Sequence, residues 1–417
     1  MSNKKYILII LLALLAAVVF TSGCTDTGNS GLNSENTSNE VNSGHISDEV
    51  NSENTSGYKT VTDMRGVEVT IPEDPQRVIA MSRSLIDTTM YIFGKQDKIV
   101  GCSVSTKKTA PGTYVYNGTD YTFNTWIGQI LNPKLLNTTN VGGFGGPYGE
   151  PNAETIAKLE PDLFILRDMG EQDENTAKFI DQLDSMGIPV VVLKYPSCYE
   201  NPSVETIYDE VTLLGKVFGE EEKAKEIVDT MKSRVGFITE RTSTIPDDEK
   251  KKVLYFGAPT WAKDKGGVGY AFGNGTIEVS FMDNIVNAEN VYSDSGRNLI
   301  SAEQMISLDP DVIILCTWSG HHPPRQLYDE ESYGNIQEMR AIKSGEVYSL
   351  AATPCKSERL EFPVNLMIAA KAVYPEKFED VDLETWIRDY VVELYGTDEQ
   401  TTNDIMNAFM LKYLEIT

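Results

Sequence analysis

Short apolar runs alternate with segments of helical spacing from about residue 58 onward. The apolar runs predict strands at 77–81, 98–101, 162–167, 189–194, 252–257, 311–316 and 346–350. Several are continuously apolar, which is typical of parallel strands covered on both faces. Because helical patterns fill the gaps between them, the sequence predicts α/β lobes with mainly parallel sheets.

One unit of this pattern occurs twice, at 153–166 and at 302–315. Each copy reads as a short helix, a Pro-Asp turn at Pro161 or Pro310, and a buried strand, since proline stops the helix before it. The repeat favours two similarly built lobes. A common helix–turn–strand unit that recurs by chance is the alternative.

A long helix is predicted between the two copies. Gly219 ends one helix, acidic residues follow it, and apolar residues then recur at helical spacing to about residue 241. A helix of about 22 residues is roughly 33 Å long, enough to join two lobes. We therefore expect an N-terminal lobe at 58–218, an interlobe helix at 219–243 and a C-terminal lobe at 244–417.

The first 24 residues have the pattern of a targeting segment. Lys4 and Lys5 precede an apolar run at 6–20, which is shorter than the roughly 20 residues of a membrane span. The run ends at Thr21-Ser-Gly-Cys24, which is similar to a lipoprotein processing site, although leucine is usual at the position of Thr21. We expect Cys24 to be lipidated on the outer face of the cytoplasmic membrane. An uncleaved anchor or simple secretion are the alternatives.

Residues 25–57 are rich in Asn, Ser, Thr, Gly and acids and predict a disordered tether. A flexible chain of this length reaches about 30 Å. Glycosylation sequons occur here and in the folded part, and their occupancy stays open; they are at Asn36, Asn54, Asn117, Asn137 and Asn274.

The charge and the cysteines limit the function further. The net charge is −26, with 36 basic and 62 acidic residues, which argues against nucleic-acid binding. Besides Cys24 there are four cysteines, and chain order favours the pairs Cys102–Cys198 and Cys316–Cys355. Buried thiols are the equally weighted alternative. None of the spacings is that of a structural zinc site.

Several segments together resemble the periplasmic-type binding proteins of ABC importers for iron–siderophore complexes, haem and cobalamin. They are Val61-Thr-Asp-Met-Arg-Gly and the following strand to Pro72, Pro75-Gln-Arg-Val-Ile-Ala-Met-Ser82, 85–101, Gly142-Gly-Phe144 with Pro151-Asn-Ala-Glu154, and 346–376. The resemblance implies two α/β lobes joined by one stiff helix, with the ligand in the cleft between them. It also implies a monomer without catalysis or cofactor, whose partners are a permease dimer, its ATPase subunits and a small metal complex.

The resemblance assigns a role to two carboxylates. Glu154 and Glu303 occupy equivalent places in the two copies of the repeat and match the family's permease-docking positions. Anionic side chains on two lobes can orient a protein over a two-subunit pore. Acids that only favour the helix dipole are the alternative.

Ligand-binding residues are expected on the loops that follow strand ends. Arg can hold the anionic oxygens of a chelate, aromatic side chains can cover it, and neutral His can ligate a metal. The candidates are Ser82, Arg83, Arg167, Tyr195, Trp261, Trp318, His321, His322, Arg325 and Arg359. The expected ligand is a ferric-siderophore-type complex. Cobalamin or another corrinoid and haem are alternatives, and a cell-surface metal-chelate reductase or chelatase is the alternative of another class.

Two further segments carry weaker signals. The segment 103–140 is longer than the resemblance predicts, and it contains aromatic residues among Gly, Asn and Thr. It predicts either a lid or ligand-specific wall, or a decorated β-hairpin with no ligand role. The glycines of 266–269 lack the Lys-Ser/Thr end of a phosphate-binding loop.

Overall fold

The computed structural model describes residues 57–82, 84–103, 112–116, 118–123, 127–143, 151–168, 174–317, 322–352 and 359–411. Its strands are β1 Tyr58–Thr62, β2 Glu68–Pro72, β3 Val78–Met81, β4 Ile99–Cys102, β5 Gly112–Tyr116, β6 Thr119–Phe123, β7 Thr139–Asn140, β8 Leu163–Asp168, β9 Val190–Lys194, β10 Lys252–Gly257, β11 Gly269–Phe272, β12 Glu289–Asn290, β13 Arg297–Ile300, β14 Val312–Leu315 and β15 Val347–Ser349. Its helices are α1 Leu85–Ile92, α2 Ile127–Leu131, α3 Ala153–Lys158, α4 Glu174–Ser185, α5 Val204–Phe218, α6 Glu221–Thr242, α7 Thr260–Asp264, α8 Ile277–Phe281, α9 Ala302–Leu308, α10 Arg325–Asp329, α11 Arg340–Lys343, α12 Phe362–Val373, α13 Leu383–Tyr395 and α14 Glu399–Phe409.

The strands form two main sheets. The first has the order β7-β4-β3-β8-β9, and all of its pairs are parallel. The second has the order β13-β11-β10-β14-β15, with β12 beside β10; β10, β14 and β15 run parallel, and β11 is antiparallel to its neighbours. All seven predicted strands are present, and the predicted α/β fold is confirmed.

The two copies of the repeated unit make the same contacts. In the first copy, the carboxylate of Asp162 accepts hydrogen bonds from the backbone N–H of Gln76 and Arg77 at 2.7 and 2.8 Å, just before β3. In the second, Asp311 accepts from the N–H of Lys252 at 2.8 Å, at the start of β10. The same contact therefore fixes a helix–strand unit to the central strand of each sheet.

The helix predicted between the lobes is observed as α6, with 22 residues. Gly219 ends α5 in the left-handed conformation, with φ of 65°, a geometry that glycine adopts without strain. The long helix of the prediction is thus confirmed.

Apolar packing joins the two sheets. One central cluster contains buried residues of both sheets together with α5, α6, α12 and α13, and each sheet packs its other face against a separate cluster of its own. The C-terminal helices α13 and α14 also contact α1 and α2. The segment 383–409 therefore packs on elements that precede α6, whereas the boundaries drawn at 218 and 244 stay predictions.

A loop between β1 and β2 covers the outer edge of the first sheet. The side chain of Asp63 is fully buried and accepts hydrogen bonds from Val192 N at 3.0 Å and Arg65 N at 2.8 Å. Met64 N donates to Val192 O at 3.1 Å. Because β9 is the edge strand, these bonds occupy backbone groups that would otherwise be unpaired there.

The weaker sequence signals have structural explanations. Within 103–140, β5 and β6 form an antiparallel hairpin, whereas the part of this segment in ligand binding stays a prediction. A side chain at Gly267 would overlap Leu299, and one at Gly269 would overlap Phe256, so these glycines allow close packing around β11. Among the helices of the described ranges, none is long and apolar enough to span a membrane; the predicted targeting segment lies outside those ranges.

Candidate functional site

The carboxyl ends of parallel strands in both sheets lead into the loops that carry the candidate residues. Ser82 follows β3, Tyr195 follows β9, and Thr317 lies two residues beyond β14. Open parallel sheets bind ligands at this edge. Four predicted residues lie outside the described part of the chain: Cys24, Arg83, Trp318 and His321. Trp261 lies in α7, the helix that follows β10, and the structure describes its backbone but not its side chain.

Arg167 is buried in an ion pair. Its side chain is 1% exposed, and its Nε and one terminal nitrogen each donate to a carboxylate oxygen of Glu210 at 2.5 Å. The guanidinium carbon also lies 4.3 Å from the centre of the Tyr195 ring. Two predicted ligand residues are thus used to fix the ends of β8 and β9 to α5, and neither is presented to solvent.

Ser82 is buried and hydrogen-bonded on both sides. Its hydroxyl donates to Asp87 Oδ1 and accepts from Ile86 N, both at 3.3 Å. Its carbonyl oxygen accepts from the hydroxyl of Ser103 at 2.8 Å. The neighbouring Ser84 has φ of 81°, a left-handed conformation that strains a residue other than glycine. Ser82 is therefore fixed by its contacts with α1 and with Ser103.

Arg359 lies in a buried charge cluster, which we define as Asp87, Arg359, Glu361 and Tyr395. The first three are 3%, 2% and 1% exposed, and the Tyr395 hydroxyl donates to Glu361. Burial raises the pKa of Asp87 to about 6 and that of Glu361 to about 7, although the Arg359 guanidinium acts to lower both. Burial also raises the pKa of Tyr395.

His322 and Arg325, two further candidate ligand residues, differ in exposure. His322 is buried, and burial lowers its pKa to about 4, while a hydrogen bond to Gln326 acts in the opposite direction. Its imidazole is therefore neutral at physiological pH. Arg325 is exposed and lies 3.9 Å from Asp329 on the same helix.

Glu154 and Glu303 lie at matching places. Each is the second residue of a short helix that follows a capping side chain, Asn152 or Ser301, and each is exposed. Lys158 pairs with Glu154 at 2.8 Å. The backbone N–H of Glu303 and the side chain of Ser301 lower the pKa of Glu303, so this carboxylate stays charged.

The predicted disulfide between Cys102 and Cys198 is not formed. Cys198 is a free thiol whose Sγ lies 3.4 Å from the carbonyl oxygen of Asp168, and burial raises its pKa to about 12. The alternative of thiols therefore holds for this pair, with Cys102 buried and Cys198 half-buried. The pair Cys316–Cys355 stays a prediction, because Cys355 is outside the described residues.

Sequence reasoning missed Asp87, Glu361 and Glu210. Asp87 interrupts the apolar start of α1, and Glu361 directly precedes the apolar helix α12, so a charge in an apolar context was the available signal. Within the ranges that the structure covers, His, Cys, Asp and Glu do not gather in groups of three or more that could hold a metal ion.

Comparison with known proteins agrees with this architecture. The Periplasmic binding protein family matches residues 79–354. The uncharacterised ABC transporter substrate-binding lipoprotein YvrC of Bacillus subtilis is 25% identical over 322 residues, which cover 77% of this chain and 87% of that protein. The Fe(3+)-citrate-binding protein YfmC of the same organism is 23% identical over 352 residues, covering 83% and 89%.

A solved structure shares the fold. The periplasmic solute binding protein of Veillonella parvula superposes with a TM-score of 0.66 at 24% identity and covers 85% of this chain and 98% of its own. The family match extends from β3 through α6 and β14 into the segment after β15, so it includes both sheets and the helix between them. The chain therefore belongs to the periplasmic binding protein family.

Proposed function

We propose that this chain is the extracytoplasmic substrate-binding subunit of an ABC importer and captures a ferric chelate between the carboxyl edges of its two sheets. The family match across both sheets and α6 carries the proposal. The names of two relatives, an ABC transporter substrate-binding lipoprotein and a Fe(3+)-citrate-binding protein, support the importer and the ligand class.

The packing supports capture with a small movement of the lobes. Helix α6 connects the sheets, and the central apolar cluster continues across that connection. A well-packed core resists deformation, so we expect closure by a small hinge movement and not by separation of the lobes. Loops at the strand ends would then close on the chelate.

The contacts of the described residues divide the candidate ligand residues into those that support the loops and those that contact the ligand. Arg167 and Arg359 face buried carboxylates, and Tyr195 packs on Arg167. We therefore assign them to support of the loops. We assign contact with the chelate to Arg83, Trp318 and His321, because these residues follow β3 and β14 in the chain. A guanidinium suits the carboxylate or hydroxamate oxygens of such a ligand.

Delivery completes the proposed function. Glu154 and Glu303, one on each lobe, have exposed carboxylates that would bind basic residues of the permease. A lipid on Cys24 and the tether at 25–57 would keep the folded part at the membrane and allow it to reach the permease. ATP hydrolysis would take place in a separate subunit.

A parallel titration tests the ligand. The tryptophan fluorescence of the folded chain would be followed with ferric citrate, a ferric hydroxamate siderophore, haemin, cobalamin and molybdate. We expect binding of at least one ferric chelate below about 10 μM, which corresponds to roughly −7 kcal/mol. Failure of both ferric chelates would overturn the ligand, whereas binding of haemin, cobalamin or molybdate instead would keep the importer and replace the ferric chelate.

Two controls sharpen the result. The Arg83→Ala variant should lose binding, while Arg325→Ala, at an exposed arginine 3.9 Å from Asp329 on the same helix, should keep it. Recovery of the intact chelate after dilution distinguishes capture from reduction or removal of the metal.

A further inference from the structure

The C-terminal helix α14 contacts elements that follow strands of both main sheets. It packs against α2 and β6, which come after β4 of the first sheet in the chain. At the carboxyl end of α14, Phe409 O accepts a hydrogen bond from Ala352 N at 3.0 Å, and Ala352 lies three residues after β15 of the second sheet. One helix therefore joins the surroundings of the two sheets.

The contact at Ala352 continues to the loop after β14. The carbonyl oxygen of the neighbouring Ala351 accepts a hydrogen bond from the hydroxyl of Thr317, and Ala351 N donates to Asn365 Oδ1 at 3.0 Å. Thr317 lies two residues beyond β14, at the carboxyl edge of the second sheet. Because Ala351 and Ala352 are adjacent, the position of α14 fixes the backbone to which Thr317 is bonded.

The contact on the side of the first sheet is apolar. Ile405, Met406 and Phe409 of α14 are 0%, 7% and 0% exposed. They belong to the central apolar cluster, which also contains Ile127 and Leu131 of α2. Side chains in a closely packed interior cannot move apart without loss of contacts. The buried face of α14 is therefore held against α2.

The preceding helix, α13, connects α14 to the long helix α6. Trp386 of α13 lies 6.3 Å from Phe237 of α6, measured between ring centres. Gly396 ends α13 with φ of 60°, and the carboxylate of Asp398 caps α14 by accepting from Thr401 N at 2.7 Å. A short turn thus separates two well-defined helices, and we call α13 and α14 together the C-terminal strap.

We propose that the C-terminal strap is a second connection between the two sheets, which limits the separation of their carboxyl edges and positions the loop after β14. A single connecting helix permits rotation of one sheet relative to the other. A second attachment, to α2 on one side and to Ala352 on the other, restricts this rotation. The restriction is measurable without ligand, whereas its effect on ligand affinity rests on the proposed function.

Release of the strap should weaken ligand capture. When the carboxyl edges separate more freely, a smaller fraction of the molecules has the arrangement that binds. The apparent dissociation constant rises in inverse proportion to that fraction, and we expect a rise of about three- to tenfold.

Two variants release the strap in different ways, and each has a matched control. Phe409→Leu removes part of the buried packing of α14, and its control is Phe256→Leu, at an equally buried ring in the second sheet's own cluster. Asp398→Ala removes the cap of α14 at an exposed position, so it should fold even if Phe409→Leu does not. Its control is Asn152→Ala, which removes the equivalent 2.7 Å cap of α3.

Pulsed electron double resonance measures the separation of the two sheets without ligand. Spin labels on unnatural amino acids at the exposed positions Lys178, in α4, and Lys343, in α11, leave the cysteines unlabelled. We expect longer and broader distances in both strap variants than in the natural chain, and unchanged distances in both controls. Unchanged distances in the folded strap variants, or an equal change in the controls, would overturn the proposal.

Hydrogen exchange tests whether the strap positions the loop after β14. Peptides that contain 312–317 and 350–352 should exchange roughly tenfold faster in Asp398→Ala than in Asn152→Ala. Equal exchange in these two variants would overturn the link to the loop.

The chelate identified by the titration tests the effect on capture. Its dissociation constant should rise in both strap variants and stay unchanged in both controls. An unchanged constant in strap variants with longer distances would overturn this effect. Failure of every ligand in the titration would instead refute the proposed function, and the distance measurement would still decide on the strap.

Discussion

Replacement of Arg167 by methionine tests whether this residue supports the fold or binds ligand. The change removes two hydrogen bonds of 2.5 Å to Glu210 and the contact with the ring of Tyr195, and it leaves the Glu210 carboxylate fully buried without its cation. Breaking a buried ion pair in this way costs about 3–5 kcal/mol. Urea unfolding, followed by circular dichroism, should show a loss of this size in the free energy of unfolding.

The double variant Arg167→Met with Glu210→Leu separates the two roles. Apolar side chains of similar volume often replace a buried pair at little cost, so stability should return to within about 1 kcal/mol of the natural chain. Binding of the chelate that the titration identifies should return with it. If the single change costs under about 1 kcal/mol, or the double variant is stable but does not bind, the structural role assigned to Arg167 is wrong.

Three further predictions follow from individual contacts. Asp63→Ala should lower the free energy of unfolding by about 2–4 kcal/mol, since the buried N–H of Val192 in β9 and the N–H of Arg65 in the loop lose their acceptor. Gly236→Ala, within α6, should raise the free energy of unfolding by about 0.5–1 kcal/mol, because the added methyl group would contact no other atoms. Gly273→Ala should lower the free energy of unfolding by more than about 2 kcal/mol, because the added methyl group would overlap the backbone of Asp294. Reversing Glu154 and Glu303 to lysine should abolish importer-dependent uptake with ligand affinity unchanged.

Each of these three predictions can be contradicted by a measurement. Asp97→Ala, at an exposed carboxylate paired with Lys134, should change stability by under about 0.5 kcal/mol, and an equal loss in Asp63→Ala would refute the edge contact. Equal effects of the two glycine changes would contradict the packing around β11 and β13. Undiminished uptake by the charge-reversed protein would remove the docking role.

The sequence predicts the elements well because local physics decides them. Apolar runs define β8 and β14, Pro161 and Pro310 stop the helices before them, and Gly219 ends α5. Each of these signals acts within a few residues. In such a sequence the hydrophobic pattern and the turn residues favour the same elements that the fold contains.

The site is harder to predict because it depends on which elements meet. Arg167 stands at a strand end as a ligand residue should, but its partner Glu210 comes from α5, and the sequence gives no sign of that pairing. Asp87 and Glu361 are far apart in the chain and become buried neighbours only when α13 packs against both α1 and α12. Amphipathic spacing shows that a helix buries one face, but it does not show which other element packs against that face.

Capture of a ferric chelate between the sheets is tested most directly by anomalous diffraction at the iron edge. Crystals of the chain grown with ferric citrate or a ferric hydroxamate siderophore would be measured on both sides of the edge. We expect one iron peak between the carboxyl ends of β3 and β8 on one side and those of β10 and β14 on the other. A peak only on the acidic outer surface, or none in crystals that contain the chelate, would contradict the account.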